Sequence, residues 1–426
     1  MINKLKIIAM AVPALLLAGC EIGTKVTEQV GYRGTGMVQI NHKAGIPPVG
    51  EVPAAPYELT PDMLKGDRAS TAYENVQVLG DVSVDEFNYL MQSMTNWVAP
   101  DGKVKDGGCT YCHNVENMAS DEKYTKVVAR KMLLMTRNIN SNWQSHFNGQ
   151  GPKQANAGVT CWTCHRGNPL PVNHWSEATP DPATITGNKR GGNTPAASVA
   201  YASLNYDPFT SYLAGKENIR VGGKAFPTGR YDSVMHTEKT YGLMMHMSNA
   251  LGVNCTFCHN SNNFAKWEDS RPQRVNAWYG IRMVRDVNNN YISALDNVWP
   301  ENGKGAYGNR RGPHGDPLKV NCATCHQGQN KPLGGLKMLK DYPALKGSYA
   351  PAAPATVAAA PAAPAPQATA AAPTGANTAF NSSAEVNAYM KSLKSREEVV
   401  AFVNARPDLF PKGAGPGVRR APTVGG

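Results

Sequence analysis

One five-residue pattern occurs four times in this chain: a cysteine, two variable residues, a second cysteine and a histidine. Cysteines at this spacing, followed directly by histidine, form the attachment site of a c-type haem, in which two thioethers hold the porphyrin and the histidine binds iron. The sequence therefore predicts four covalently bound c-type haems. The cysteines are Cys109, Cys112, Cys161, Cys164, Cys255, Cys258, Cys322 and Cys325, and the histidines are His113, His165, His259 and His326.

Disulfides and structural zinc are the other common uses of paired cysteines. A zinc site needs cysteine pairs whose spacing closes a tetrahedron, and it does not need a histidine directly after every second cysteine. The four copies also account for eight of the nine cysteines. We therefore favour haem attachment over both alternatives.

The N-terminus is typical of a targeting segment. Lys4 and Lys6 precede an apolar run, Ile7 to Leu17, which is too short to span a bilayer comfortably. The run ends in Leu-Ala-Gly-Cys20, which resembles a bacterial lipobox. We expect residues 1–19 to be a signal peptide and Cys20 to be lipidated. The alternative is an uncleaved anchor, and either one places the rest of the chain on the periplasmic face of the membrane.

The formal net charge of +11 raises the possibility of a nucleic-acid partner. The lysines and arginines are scattered, however, and form no long basic run. The propionates of four haems would offset most of the excess positive charge. We therefore expect no nucleic-acid binding.

The sequence predicts a mainly α-helical fold with much irregular loop. The strongest helical stretch starts at Val84, with Ser83 as N-cap and Glu86 at the capping-box position. Further helices are predicted at about Ser120–Trp143, Lys239–Leu251 and about Pro272–Leu295. The predicted segments are an extended N-terminal arm (20–83), a first two-haem unit (84–170), a connecting segment (171–238), a second two-haem unit (239–345), an Ala/Pro-rich linker (346–375) and a C-terminal extension with short helices (376–426).

An internal repeat relates the two predicted haem units. The first motif with its following asparagine matches the third, and the second motif matches the fourth. Between them, residues 135–143 match residues 283–291. We expect two pseudo-twofold-related two-haem halves, an arrangement that places the haems in a row.

Electron-transfer haems need a sixth iron ligand, and methionines on the preceding helices are the candidates. Met91 competes with Met94 for the first haem, and Met132 competes with Met135 for the second. Met244 has Met245, His246 and Met247 as competitors for the third haem. Met135 aligns with Met283, whereas Met132 aligns with Gly280. If Met132 is the ligand, the fourth haem has lost its counterpart, and His146 is the obvious donor from elsewhere.

Several stretches resemble the tetrahaem cytochrome subunit of purple-bacterial photosynthetic reaction centres. The resemblance covers roughly residues 20–345. The stretches are residues 127–137, Ser203 to Thr210, Leu243 to Met245, Leu251 to His259 and Gly280 to Asp286. The resemblance implies that the sixth ligands are Met91, Met132, Met244 and His146, and that the fourth haem has two histidine ligands. This chain differs in a longer loop at 100–108, which weakens Met91 against Met94, and in its Ala/Pro-rich tail.

The resemblance also implies a function. Such a subunit lies on the reaction-centre L and M subunits at the periplasmic face, is anchored by lipid, and re-reduces the photo-oxidised bacteriochlorophyll pair. Its electron donor would be a soluble c-type cytochrome or a high-potential iron–sulfur protein, and the haem order would be first, second, fourth, third. Arg274 would raise the potential of the third haem, unless it is simply solvated.

Two other functions use the same motifs. A multihaem reductase, which would be an enzyme, needs one haem iron with an open position, yet every motif here has a candidate sixth ligand. A generic periplasmic electron conduit shares the chemistry of a reaction-centre donor and remains the alternative. We expect an electron-transfer subunit and no catalytic residues.

Overall fold

The computed structural model describes residues 24–29, 38–42, 51–148, 156–177, 196–221, 234–304, 307–347 and Ser392. The chain divides into two compact units, residues 1–350 and residues 351–426. The predicted signal peptide, Cys20 and the predicted C-terminal helices lie outside the described residues. No helix in the described ranges is long and apolar enough to cross a bilayer.

The described fold is mainly α-helical, as predicted, with much irregular loop between the helices. Shorter 3-10 and π turns link the helices. Two small antiparallel sheets are present, β1 with β2 and β3 with β4. The elements are β1 Lys25–Gln29, β2 Val38–His42, α1 Ala69–Ala72, α2 Val84–Val98, α3 Tyr124–Asn142, α4 Gln144–Asn148, α5 Cys161–His165, β3 His174–Trp175, α6 Val234–Leu251, α7 Gln273–Val287, β4 Lys319–Val320 and α8 Cys322–His326.

Helix α2 begins where the sequence predicts. The Ser83 side chain accepts a hydrogen bond of 3.1 Å from the Glu86 backbone N–H, which satisfies one of the free amides of the first turn. Tyr89, Leu90 and Trp97 form its buried face. The helix ends at Val98, just before Pro100, because proline cannot continue the hydrogen-bonded backbone.

The helix predicted to end near Leu295 is interrupted. Regular α-helix stops at Val287 and continues as a π turn, Asn288–Ile292, and then a 3-10 turn. Asn288 is fully buried, and its side-chain amide donates to the carbonyls of Leu213 and Val320. The wider turn begins at the residue whose side chain has these fixed partners, and π turns commonly mark such positions.

The arm predicted for residues 20–83 contains regular elements that the sequence does not indicate. Strands β1 and β2 pair in antiparallel register from Lys25 with His42 to Gln29 with Val38. A 3-10 turn at Met63–Lys65 and α1 follow before α2. Glycine and proline in this region keep each strand and helix short. Elements this short show no clear hydrophobic period in the sequence.

The end of the second predicted unit packs on the first. Residues 333–345 share a core cluster with α2, and the rings of Trp97 and Tyr342 are 4.5 Å apart in an edge-to-face contact. Arg137 on α3 fixes this segment, because its Nε donates to the Ala344 carbonyl at 2.8 Å. The same guanidinium binds the Val78 carbonyl and the Asp81 carboxylate.

Replacing Arg137 with methionine should lower the free energy of unfolding by about 2–4 kcal/mol, because buried carbonyls lose charge-assisted hydrogen bonds. The Arg137 side chain is only 7% exposed, so water cannot replace the donors. Denaturant unfolding followed by far-UV circular dichroism measures the change. Arg282→Met, at an exposed position of α7, should change stability by less than about 0.5 kcal/mol. Equal losses in both variants would contradict the assigned role of Arg137.

Candidate haem-binding sites

The second and fourth motifs form short helices, α5 and α8. Each helix starts with a reciprocal capping box, between Thr160 and Thr163 in α5 and between Asn321 and Thr324 in α8. The residue after each histidine is left-handed, and the glycine that follows also has a positive φ of about 80°. This reversal ends both helices directly after the histidine. The first and third motifs instead begin with the 3-10 turns Gly108–Tyr111 and Cys255–Phe257.

All four motif histidines are oriented in the same way, by a hydrogen bond between the ring and the backbone. Each Nδ1 lies within hydrogen-bonding distance of a backbone carbonyl, which makes Nδ1 the protonated nitrogen and leaves Nε2 free to bind a metal. Burial lowers the pKa of each ring, that of His326 to about 4, so each imidazole stays neutral. The pairs are His113 with Met118 at 3.1 Å, His165 with Asn168 at 2.8 Å, His259 with Phe264 at 3.0 Å and His326 with Gln329 at 2.9 Å.

His146 is brought against His326 by α4, although the two residues are 180 positions apart in the chain. The ring centroids lie 6.2 Å apart, and the ring planes make an angle of 85°. Because a metal–imidazole bond is about 2 Å long, two imidazoles on opposite sides of one iron have centroids about 6 Å apart. His146 Nδ1 also donates to a carbonyl, that of Asn276, at 2.9 Å. The geometry fits one iron between His146 and His326.

Gly280 makes the position of His146 possible. A Cβ at Gly280 would lie 2.7 Å from Cε1 and 2.8 Å from Nδ1 of the His146 ring. Real carbon atoms do not approach so closely, so only glycine fits beside the ring at this point of α7. The internal repeat aligns Gly280 with Met132. In the structure, the His146 ring occupies the space beside Gly280 that a side chain would otherwise fill.

A cavity of about 940 Å³ runs past the first two motifs. Its lining includes the histidines His113 and His165 and reaches Cys325 of the fourth motif. The candidate methionines Met91, Met94, Met132 and Met135 all line it as well. The cavity therefore offers thiols, neutral imidazoles and thioethers to the same space, which is the donor set that a c-type haem requires.

The candidates for the third haem lie on α6. Met244 is half-buried and packs against a core cluster that also contacts Cys322 of the fourth motif. His246 is buried against Phe209, with ring centroids 4.6 Å apart. The resemblance-based choice of Met244 stays a prediction, and His246 belongs to the packed core.

Arg274 lies beside the third motif. Its guanidinium donates to the Lys266 carbonyl and to Ser270, and it stacks over Trp267 at 4.8 Å. Burial chiefly lowers the pKa of His259, and the charge of Arg274 adds to the effect. The positive charge of Arg274 therefore acts electrostatically on His259, the histidine of the third motif.

The motifs touch one another in a definite order. The Sγ atoms of Cys164 and Cys325 are 2.6 Å apart, so the second and fourth motifs are direct neighbours. Gly328, just after the fourth motif, donates its N–H to the Ala250 carbonyl on α6 at 2.8 Å. Helix α6 leads into the third motif. The first and second motifs share the cavity described above.

Two asparagines that were not predicted hold the second and fourth motifs in the same way. Asn140 exchanges two hydrogen bonds with the backbone of Val159, and Asn288 does the same with Val320. Each valine lies two residues before the first cysteine of its motif. Both asparagines belong to the matched stretches of the repeat, and that identity was the signal that could have revealed them.

Covalent attachment motifs, neutral imidazoles and a shared cavity together define a c-type cytochrome. Residues 22–346 match the family model described as photosynthetic reaction centre cytochrome C subunit. The chain belongs to this family, and therefore to the membrane-associated photosynthetic apparatus.

Similar proteins carry the name photosynthetic reaction center cytochrome c subunit. The one from Rubrivivax gelatinosus is 47% identical over 350 residues, covering 81% of this chain and 90% of that protein. The one from Thermochromatium tepidum is 45% identical over 345 residues, covering 79% of each. The one from Roseobacter denitrificans is 38% identical over 340 residues, covering 76% of this chain and 86% of that protein.

Replacing Gly280 with alanine should push His146 away from His326. Glycine to alanine inside a helix normally stabilises by about 1 kcal/mol, but here the new methyl group would overlap the imidazole. If His146 and His326 bind one haem iron, the low-spin bis-imidazole signal in electron paramagnetic resonance should weaken and a high-spin signal should appear. Arg282→Ala on the same helix serves as the control and should leave the spectrum unchanged. An unaltered spectrum in both variants would refute the assigned role of Gly280.

Proposed function

We propose that this chain is a periplasmic tetrahaem cytochrome that passes electrons from a soluble carrier to the photo-oxidised bacteriochlorophyll pair of a photosynthetic reaction centre. The carrying observation is the contact between the second and fourth motifs, Cys164 to Cys325 at 2.6 Å. In the proposal, this contact makes the haem sites of the two halves neighbours in one series. Membership of a family of photosynthetic reaction centre cytochrome subunits supports the reaction centre as the electron acceptor.

The haems supply reversible one-electron chemistry when attached, and the chain sets their order. The shared cavity joins the first site to the second, and the cysteine contact joins the second to the fourth. The hydrogen bond from Gly328 to Ala250 joins the fourth motif to the helix of the third. These neighbours support the order first, second, fourth, third.

A pseudo-twofold relation between the halves is part of the proposal. Residues that lie close to a twofold axis contact their own equivalents across it. Asn138 donates to the Asp286 carboxylate at 2.7 Å, and these two residues occupy matching places in the repeat. Cys164 and Cys325 are a second such pair. The matching bonds of Asn140 and Asn288 support the same relation.

The proposed sixth ligands are Met91, Met132, Met244 and His146. Methionine ligation raises the potential of a haem, and a second imidazole lowers it by stabilising ferric iron. Three high-potential haems and one lower-potential haem follow from this set. The bis-histidine haem would then lie between the second and third haems, inside the row.

The remaining parts of the proposal concern location and partners. The lipidated Cys20 would tether the chain to the membrane, and the L and M subunits would receive it on the periplasmic face. A soluble c-type cytochrome or a high-potential iron–sulfur protein would supply the electrons. The proposed segments 346–375 and 376–426 would serve as linker and interaction module, respectively.

A flash given to intact membranes tests the function. We expect oxidation of c-type haem absorbance within microseconds, because the photo-oxidised pigment pair would draw its electron from this subunit. Membranes that lack the chain should show no such signal and a longer-lived oxidised pigment pair. Attached haems that stay reduced after the flash would refute the proposal and leave only a generic conduit.

His146→Met tests the assignment of the fourth haem. The change replaces an imidazole with a thioether, so the lowest of the four midpoint potentials should rise while the other three stay near their starting values. A redox titration of the haem absorbance measures this. His314→Met, at an exposed position outside the lining of the haem cavity, is the matched control. An unchanged titration in His146→Met would show that another residue binds this iron.

A further inference from the structure

A carboxylate of α7 lies where the two halves of the chain meet. Asp286 is half-buried, and its Oδ2 accepts hydrogen bonds from two residues of the first half, the Asn138 amide at 2.7 Å and the Trp143 indole N–H at 2.9 Å. Its Oδ1 accepts from the Asn290 amide at 2.6 Å. Hydrogen bonds to an ionised acceptor are about twice as strong as those between neutral groups. Asp286 therefore binds Trp143 firmly to α7.

Trp143 lies three residues before His146. The His146 backbone N–H donates to the Trp143 carbonyl at 2.9 Å, so the two residues belong to one turn. The His146 ring contacts α7 separately, because its Nδ1 is 2.9 Å from the Asn276 carbonyl and the ring lies against Gly280. Residues 276 and 286 are about 15 Å apart along an α-helix. Two attachment points this far apart fix both the position and the direction of residues 143–146 against α7.

The internal repeat provides a comparison within the same chain. In its register the matched pairs are Asn138 with Asp286, Trp143 with Tyr291 and His146 with Ala294. The bond that leads to His146 therefore joins a carboxylate to an indole N–H, whereas the corresponding positions that lead to Ala294 hold an amide and a phenol. The charged acceptor and the indole donor thus occur on the side that carries the candidate iron ligand. Packing of the two halves alone would not require this difference.

His146 also differs from the motif histidines in how its ring is oriented. The Nδ1 of His326 is 2.9 Å from the carbonyl of Gln329, which is three residues further along the chain. The carbonyl beside Nδ1 of His146 belongs to Asn276, 130 positions away. The orientation of the His146 ring therefore depends on how its segment is held against α7, and groups that orient an iron ligand in this way strengthen its binding.

We propose that Asp286 is a positioning residue of the fourth haem site, acting through Trp143 to fix the orientation of the His146 imidazole relative to that of His326. The inference rests on the proposed function, in which these two histidines bind one haem iron. The chain holds the ring in place before iron binds, which reduces the entropic cost of ligation.

The angle between the two rings is the property that Asp286 controls. The ring planes of His146 and His326 make an angle of 85°. In a ferric haem with two imidazole ligands, the relative orientation of the ring planes sets the splitting of the iron d orbitals. Near-perpendicular rings give a strongly anisotropic low-spin signal in electron paramagnetic resonance, and parallel rings give a less anisotropic one. The field position of this signal therefore reports the ring angle.

Electron paramagnetic resonance of oxidised Asp286→Ala tests the proposal. The variant loses the acceptor of the indole N–H, so the His146 ring should reorient and the bis-imidazole signal should shift. Trp143→Phe removes the N–H and keeps an aromatic ring, so its signal should shift in the same direction, and it serves as the variant if Asp286→Ala does not assemble. The double variant should shift the signal by less than the sum of the two single shifts, because both changes remove the same bond.

Two further variants of the same group serve as controls. Asn290→Ala removes the third donor to the carboxylate, but this residue is exposed and belongs to the second half, so the signal should stay in place. Asp286→Asn keeps one oxygen acceptor without the charge and should shift the signal less than Asp286→Ala. The proposal is wrong if the signal stays in place in Trp143→Phe, if Asn290→Ala moves it equally, or if the two single shifts simply add.

The unmodified chain distinguishes this failure from failure of the proposed function. Its oxidised form should show the strongly anisotropic signal, and His146→Met should abolish it. If the unmodified chain lacks the signal, or if His146→Met retains it, the proposed ligand set is wrong and the role of Asp286 is wrong with it. If the signal is present, requires His146 and does not respond to the Asp286 and Trp143 variants, only the role of Asp286 is overturned.

Discussion

The contact between His146 and His326 is the constraint on which much of the arrangement depends. One histidine comes from the first half of the chain and the other from the second, and their ring centroids are 6.2 Å apart. Such a pair cannot form unless α4 and α7 pack closely, which requires glycine at position 280. Asn276 on α7 then orients the ring through its carbonyl. In the proposed function, His146 from the first half supplies a ligand to the fourth site, which would then be formed by both halves.

The need to orient iron ligands also explains why the histidines of the haem sites share one hydrogen-bonding pattern. A cavity built for haem presents nitrogen and sulfur donors that must stay neutral and correctly oriented before iron binds. Each of the five histidines meets this need with a carbonyl on Nδ1. The Met118 carbonyl also accepts a hydrogen bond from Lys126. His113 and Lys126 therefore both hold the loop that follows the first motif. One backbone carbonyl therefore both orients the first motif histidine and anchors the loop that follows the motif.

Much of this could be predicted from the sequence, because the strongest signals are local. The Ser83 cap and the haem motifs depend on residues within five positions of one another. The contact of His146 with Gly280 spans 134 positions, and in the sequence only the repeat links the two residues. Strands β1 and β2 are short and follow no long period. Asp286 had no local signal, since its hydrogen bonds to the first half span 143 and 148 positions.

The distribution of positive charge also has a physical reason beyond solubility. A net charge of +11 on a chain without long basic runs suggests that the excess is balanced by a distributed anion. Arg310 is the buried example, and Arg274 lies beside the third motif with Arg220 close enough to lower its pKa, after burial as the main cause. Arg310 lines the haem cavity, and Arg274 lies near the third motif histidine. Because charges fixed in a low-dielectric interior act strongly at short range, buried arginines beside the haem motifs are placed to influence the potentials of the attached haems.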